Sequence, residues 1–97
     1  KTFRNRANGL RNDLAQTIAD MKPKFLRFPG GCITHGRGLA NAYRWKVTVG
    51  DVAERTPNWN TWGYHQTYGL GFYEFFQFCE DIGAKALPVL PIGISFQ

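Results

Sequence analysis

The run Phe25-Leu26-Arg27-Phe28-Pro29-Gly30-Gly31-Cys32 constrains this chain more than any other stretch, because a short apolar segment breaks into a proline and a glycine pair. Proline takes an amide hydrogen out of the sheet ladder and fixes its own φ. Paired glycines admit turns and close ligand approaches that other residues refuse. The run therefore reads as a buried strand emptying into a functional loop, at the end of a strand where sites on parallel sheets sit.

The flanking pattern supplies helices for such a sheet. Leu10, Leu14, Ile18 and Met21 recur at helical spacing with Ala15 and Ala19 beside them, and Lys22-Pro23 ends that helix. A second helix is expected from about Phe72 to Ile82, with apolar Phe72, Phe75, Phe76 and Cys79 and with Gly83 as its left-handed stop. Ala86 to Leu90 then reads as a second buried strand. Helix, strand, long loop, helix, strand is the rhythm of a parallel α/β sheet. A single crossover of this kind leaves strand faces uncovered, so neighbouring elements are expected beyond it. The start at Lys1 and the apolar run from Val89 to Gln97 point the same way, to one piece of a larger unit with no separate second domain within residues 1–97.

Charge and cysteines narrow the function classes. The net charge is +5, but the basic residues gather at Lys1, Arg4, Arg6 and Arg11 and again at Lys22, Lys24 and Arg27, without a stripe or a docking motif for nucleic acid. Cys32 and Cys79 lie far apart and form no CxxC or Cys/His cluster, so no metal site is expected, even with His35 and His65 in the chain. No apolar run approaches the ~20 residues that span a bilayer, and no P-loop pattern occurs.

Between Cys32 and Gly71 runs a connection of about forty residues, far longer than an idle loop in a compact domain. Tyr43, Trp45, Trp59, Trp62, Tyr64 and Tyr68 alternate there with Asn41, Arg44, Asn58, Asn60 and Gln66. Flat rings beside amides suit a sugar, whose CH face stacks while its hydroxyls take hydrogen bonds. Some of the rings must instead bury themselves to hold the loop in place. Asp13, Asp20, Glu80 and Asp81 sit on or at the ends of helices and read as structural, Glu74 falls in a helical first turn, and Glu54 is expected to pair with Arg55.

Several segments in one order carry a resemblance. Leu10-Arg11-Asn12-Asp13-Leu14, Lys22 to Cys32, Tyr43-Arg44-Trp45-Lys46, Glu54-Arg55, Trp59 to Tyr64 and Gly69 to Phe75 together resemble the α-L-arabinofuranosidases of glycoside hydrolase family 51. That resemblance implies an early part of a (β/α)8 barrel, its second and third strands with their helices. It implies a retaining hydrolase that releases terminal α-L-arabinofuranosyl groups from arabinose-containing polysaccharides or oligosaccharides, with no cofactor. No nucleic-acid or membrane partner is expected, a homo-oligomeric parent is compatible, and the compartment, cytoplasmic or extracytoplasmic, stays open.

Retaining chemistry needs two carboxylates ~5 to 5.5 Å apart, one as acid/base and one as nucleophile. The resemblance places both on later strands, the first in an Asn-Glu pair, and no Asn-Glu pair occurs in this chain. No catalytic residue is therefore assigned here, and the isolated segment is expected to be inactive. The substrate-binding residues implied are Arg27, Gly30, Gly31 and Cys32 at the glycone pocket and Trp62 as a wall near the scissile bond. Arg27 would brace a carboxylate with its planar fork. Ile33-Thr34-His35-Gly36 departs from the family pattern, where a glutamate often precedes the glycine, and Glu74 falls at a position tied to helix packing or loop anchoring. A non-catalytic carbohydrate-binding relative and a different (β/α)8 glycosidase are the alternative readings.

Overall fold

A computed structural model describes residues 2–6, 9–36, 39–60 and 62–92. Lys1 of the first basic group and the end of the apolar run, residues 93–97, lie outside them. Two parallel strands, β1 (Phe25–Phe28) and β4 (Lys85–Pro88), pair in the register Phe25 with Lys85 through Phe28 with Pro88. Helix α1 (Asn12–Asp20) precedes β1, and helix α3 (Phe72–Ile82) makes the crossover to β4. The expected strand, helix, strand order is present. β4 begins one residue before Ala86, where the Lys85 N–H donates to the Lys24 carbonyl at 2.9 Å. It stops short of the expected Leu90, since Pro88 has no N–H; one further bond, Val89 N–H to the Phe28 carbonyl at 2.7 Å, follows it.

One sheet face is covered. Leu26 and Phe28 share it, and Phe28 is enclosed, stacked on Phe75 at 4.7 Å and edge-on to Phe72 at 5.4 Å. With Tyr43, Tyr68 and Cys79 these rings form the main core. A second cluster, Phe3, Ala15 and Phe78, packs α1 and the N-terminal segment against α3, and Leu26 touches both clusters. The segment itself folds back through Phe3 N–H to the Leu10 carbonyl and an Arg6–Asp81 ion pair at 2.7 Å. On the opposite sheet face Phe25 is 60% exposed and Arg27 is also exposed. The strand is thus buried on one side among the described residues, because α1 and α3 both lie on that side.

The stripe expected for α1 is corrected. Leu14 and Met21 are 57% and 70% exposed, while Ala15, Ile18 and Ala19 face Phe3, Phe78 and Ile82. Phe3 of the folded-back N-terminal segment and Phe78 of α3 meet the helix at Ala15, and Leu14 and Met21 lie off that face. Helix α3 matches its expected limits. Gly83 at φ 73° closes it in the left-handed region, and its N–H reaches the Glu80 carbonyl.

The long connection proves to be a chain of short elements. After α2 (Cys32–His35) come 3₁₀ turns at Leu39–Asn41, Trp45–Thr48 and Val52–Glu54, then a hairpin of β2 (Asn58–Trp59) and β3 (His65–Gln66). Each is too short to show periodicity in the sequence.

Candidate functional site

The loop after β1 stands at the carboxyl end of the parallel pair. The Phe28–Pro29 peptide is cis, and Gly30 takes φ 149°. Thr34, fully buried in α2, donates its hydroxyl to the Gly30 carbonyl at 2.8 Å, and its N–H bonds the Gly31 carbonyl at 2.9 Å. Thr34 therefore holds the glycine pair in shape from below. The Arg27 guanidinium lies against Gly31, since a Cβ there would stand 3.2 Å from Nη2. Arg27 is exposed and makes no hydrogen bond or ion pair among the described residues. Cys32 opens α2 with an exposed side chain, and His35, half-buried, closes it.

Trp62 lies at the turn of the β2–β3 hairpin and is 57% exposed. Its position is set by Asn60, a buried residue whose Oδ1 accepts the Trp62 N–H at 2.9 Å and the Tyr64 N–H at 3.4 Å. Across the hairpin, Trp59 meets His65 edge-on at 4.9 Å. Arg27, Gly30, Gly31 and Cys32 are thus brought together at one loop, whereas Trp62 is carried by a separate element. No hydrogen bond or ring contact joins it to that loop among the described residues.

The rings of the long connection divide sharply. Tyr43 and Tyr68 are buried, edge-on to each other at 5.1 Å. Burial pushes the Tyr43 hydroxyl up to about 12, with Tyr68 adding to the rise and a hydrogen bond to Thr48 opposing it. Trp45, Trp59, Trp62 and Tyr64 stay between 41% and 57% exposed. A groove of about 340 Å³ opens between Tyr43, Trp45 and Val47 on one side and Leu90 and Pro91, just past β4, on the other. A second hollow of about 270 Å³ lies between Pro29, Ile33 and the Tyr68–Leu70 stretch. Neither is lined by Arg27, Gly30, Gly31, Cys32 or Trp62.

Three residues organise this surface: Arg55 and Asn60, which the sequence offered in other roles, and Thr48, which it did not mark. Arg55 pairs with Glu74, not with its neighbour Glu54: Nη1 reaches Oε1 at 2.7 Å and Nη2 reaches Oε2 at 3.2 Å. Burial alone would raise the Glu74 carboxyl, but the Arg55 guanidinium and the Gly71 N–H hold it below its usual range. Thr48, also fully buried, donates to the Trp45 carbonyl at 2.7 Å and accepts the Phe72 N–H at 3.1 Å, satisfying an orphan donor of α3. Asn60 is the third, and Asn60-x-x-Gly63 with Gly63 at φ 86° is its sequence trace. Other carboxylates make local bonds: Asp13 pairs with exposed Arg11, Asp20 accepts from Gln16, and Asp51 caps the 3₁₀ turn through the Ala53 N–H.

Comparison with known proteins gives one answer. The family model described as the alpha-L-arabinofuranosidase 1 domain matches residues 17–97. An extracellular exo-alpha-L-arabinofuranosidase of Streptomyces chartreusis is 52% identical over 105 residues, covering 97% of this chain and 13% of that protein. Alpha-L-arabinofuranosidase 1 of Arabidopsis thaliana is 51% identical over 92 residues, covering 94% of this chain and 14% of its own length. Among solved structures, the arabinose-bound MgGH51 α-L-arabinofuranosidase superposes with a TM-score of 0.93 at 45% identity, over 97% of this chain and 15% of that one. The arabinose complex of the Thermotoga maritima enzyme gives 0.75 at 26% identity, over 89% and 17%. The chain thus spans less than a fifth of the length of these relatives, and within that span it belongs to the α-L-arabinofuranosidases of glycoside hydrolase family 51.

Proposed function

We propose that this chain forms an early part of the (β/α)8 barrel of a retaining α-L-arabinofuranosidase and supplies one wall of its glycone pocket. The observation that carries the reading is the Pro29–Cys32 loop at the carboxyl end of a parallel strand, in a chain that superposes on an arabinose-bound relative. In a closed barrel the helices cover the outer face of the strands, and α3 packs over Leu26 and Phe28. Phe25 and Arg27 are on the opposite face, the barrel interior. Arg27 there braces a carboxylate of a later strand, and Cys32 and the glycine pair border the arabinofuranose ring. Trp62, carried by its hairpin, forms a wall near the scissile bond. The acid/base and nucleophile glutamates come from other strands, and the substrates are arabinose-containing polysaccharides or oligosaccharides.

The test uses the full-length protein that contains this chain. It is expected to release arabinose from an aryl α-L-arabinofuranoside with retained anomeric configuration. Trp62→Ala is expected to lower kcat/KM by about tenfold, some 1.4 kcal/mol, and by more than Trp45→Ala. Trp45 already leans on Phe72, with ring centroids 6.4 Å apart, so part of its work is packing. Equal activity losses with equal losses of Tm would overturn the role given to Trp62. Binding of arabino-oligosaccharides without arabinose release would instead identify a non-catalytic carbohydrate-binding relative.

A further inference from the structure

We infer that the Arg55–Glu74 pair is a positioning device that fixes the Trp62 hairpin relative to α3, and through it the affinity for substrate; its substrate side rests on the reading just proposed. Arg55 is a buried guanidinium with four bonds to protein acceptors. Nη1 donates to the Tyr68 carbonyl at 2.7 Å as well as to Glu74, and Nη2 donates to the Gly50 carbonyl at 2.8 Å as well as to Glu74. The bond to Tyr68 spans thirteen positions and closes a loop whose outer part is the whole β2–β3 hairpin. One foot of that hairpin is Arg55 itself, and the other is Tyr68. Glu74 in turn accepts the Gly71 N–H at 2.7 Å, so the same carboxylate caps α3. The hairpin is thereby tied to the first turn of the helix that crosses between the two parallel strands.

The bidentate geometry matters. A lysine would keep the charge but has a single ammonium and cannot hold both carboxylate oxygens and both carbonyls in one plane. The hairpin's strands are only two residues long, and its tip, Trp62, Gly63 and Tyr64, is exposed; besides the Arg55 bonds its base is held by Asn58, whose side chain donates to the Asn41 carbonyl at 2.9 Å and accepts from the Asn41 amide at 3.3 Å. Loosening its feet moves the Trp62 wall without touching the acid/base or nucleophile glutamates, which the proposed function places on other strands. The signature of a positioning role is thus a higher KM at nearly unchanged kcat.

The full-length protein, its Arg55→Lys and Glu74→Gln variants, and each combined with Trp62→Ala would be compared well below their Tm. Arg55→Lys is expected to raise KM roughly tenfold with kcat within about threefold, and to add almost nothing once Trp62 is alanine, as coupled residues do. Additive effects, or a Tm loss with unchanged KM, would overturn the inference. Hydrogen exchange supplies an activity-independent reading: the amides of Trp62, Gly63 and Tyr64 are expected to exchange faster in Arg55→Lys while those of α1 keep their protection. Uniformly faster exchange, or an unchanged hairpin, contradicts the device. Should the unmodified protein release no arabinose, the functional reading and the substrate side fall together, while the exchange result still decides whether the pair holds the hairpin.

Discussion

Gly71 has no room for a side chain, because a Cβ there would run into the carbonyl and side chain of Thr48. That crowding is the counterpart of the Thr48 to Phe72 hydrogen bond, which draws the 3₁₀ turn of Trp45–Thr48 onto the start of α3. Gly71→Ala is expected to cost at least about 2 kcal/mol, read as a lower urea midpoint, since the backbone must separate to admit the methyl group. An unchanged midpoint would show that the approach is not required. Tyr43 gives a pH test with a defined sign. Its hydroxyl rises from 10.0 to about 12 on folding, so its stabilisation is intact below pH 10 and is lost as the pH climbs toward 12. Unfolding midpoints measured across that window should fall, and Tyr43→Phe should flatten the fall. Glu74 acts at the other end of the scale. Its depressed carboxyl contributes fully above its ordinary 4.5 and fails as the pH drops through the lower folded value, so Glu74→Gln should flatten the acid limb. Glu74 was legible in the sequence as a first-turn anion, yet its partner was not. Arg55 stands nineteen positions away, and adjacency to Glu54 offered a simpler and incorrect pairing.

Elements with their own periodicity were the easiest to read. Helix α3 has matching limits because its apolar spacing, Glu74 and Gly83 all agree, and β1 has matching limits because Pro29 ends it. The inward face of α1 was misjudged, since spacing marks large apolar residues and does not show that the N-terminal segment folds back to set Phe3 against Ala15. Nor does periodicity reach the connection from Cys32 to Gly71, whose strands and turns span two to four residues each. Its division of labour follows from packing instead: Tyr43 and Tyr68 anchor, and the tryptophans stay at the surface. The joint between elements is Phe28, enclosed by three rings of α3. Phe28→Ala should lower stability by about 3 to 5 kcal/mol through the cavity it leaves, measured by denaturant unfolding. A loss below about 1 kcal/mol would mean that α3 collapses into the space and that the β1–α3 packing is not rigid.

For the molecule as a whole, α1 and α3 cover the sheet face of Leu26 and Phe28 and leave Phe25 and Arg27 open among the described residues, as the proposed barrel segment requires. This was legible in part, since the parallel rhythm and the Pro-Gly-Gly turn gave the strands and the end at which a site would lie. The position of Trp62 on its own hairpin, apart from the Cys32 loop and held by the Asn60 side chain, was not. The most direct measurement is arabinose release from an aryl α-L-arabinofuranoside by the full-length protein beside residues 1–97 alone. Release with retained configuration by the former and none by the latter is the predicted result. Release by residues 1–97 at a comparable rate would contradict the assignment of catalysis to other strands, and no release by the full-length protein would contradict the assignment of the activity itself.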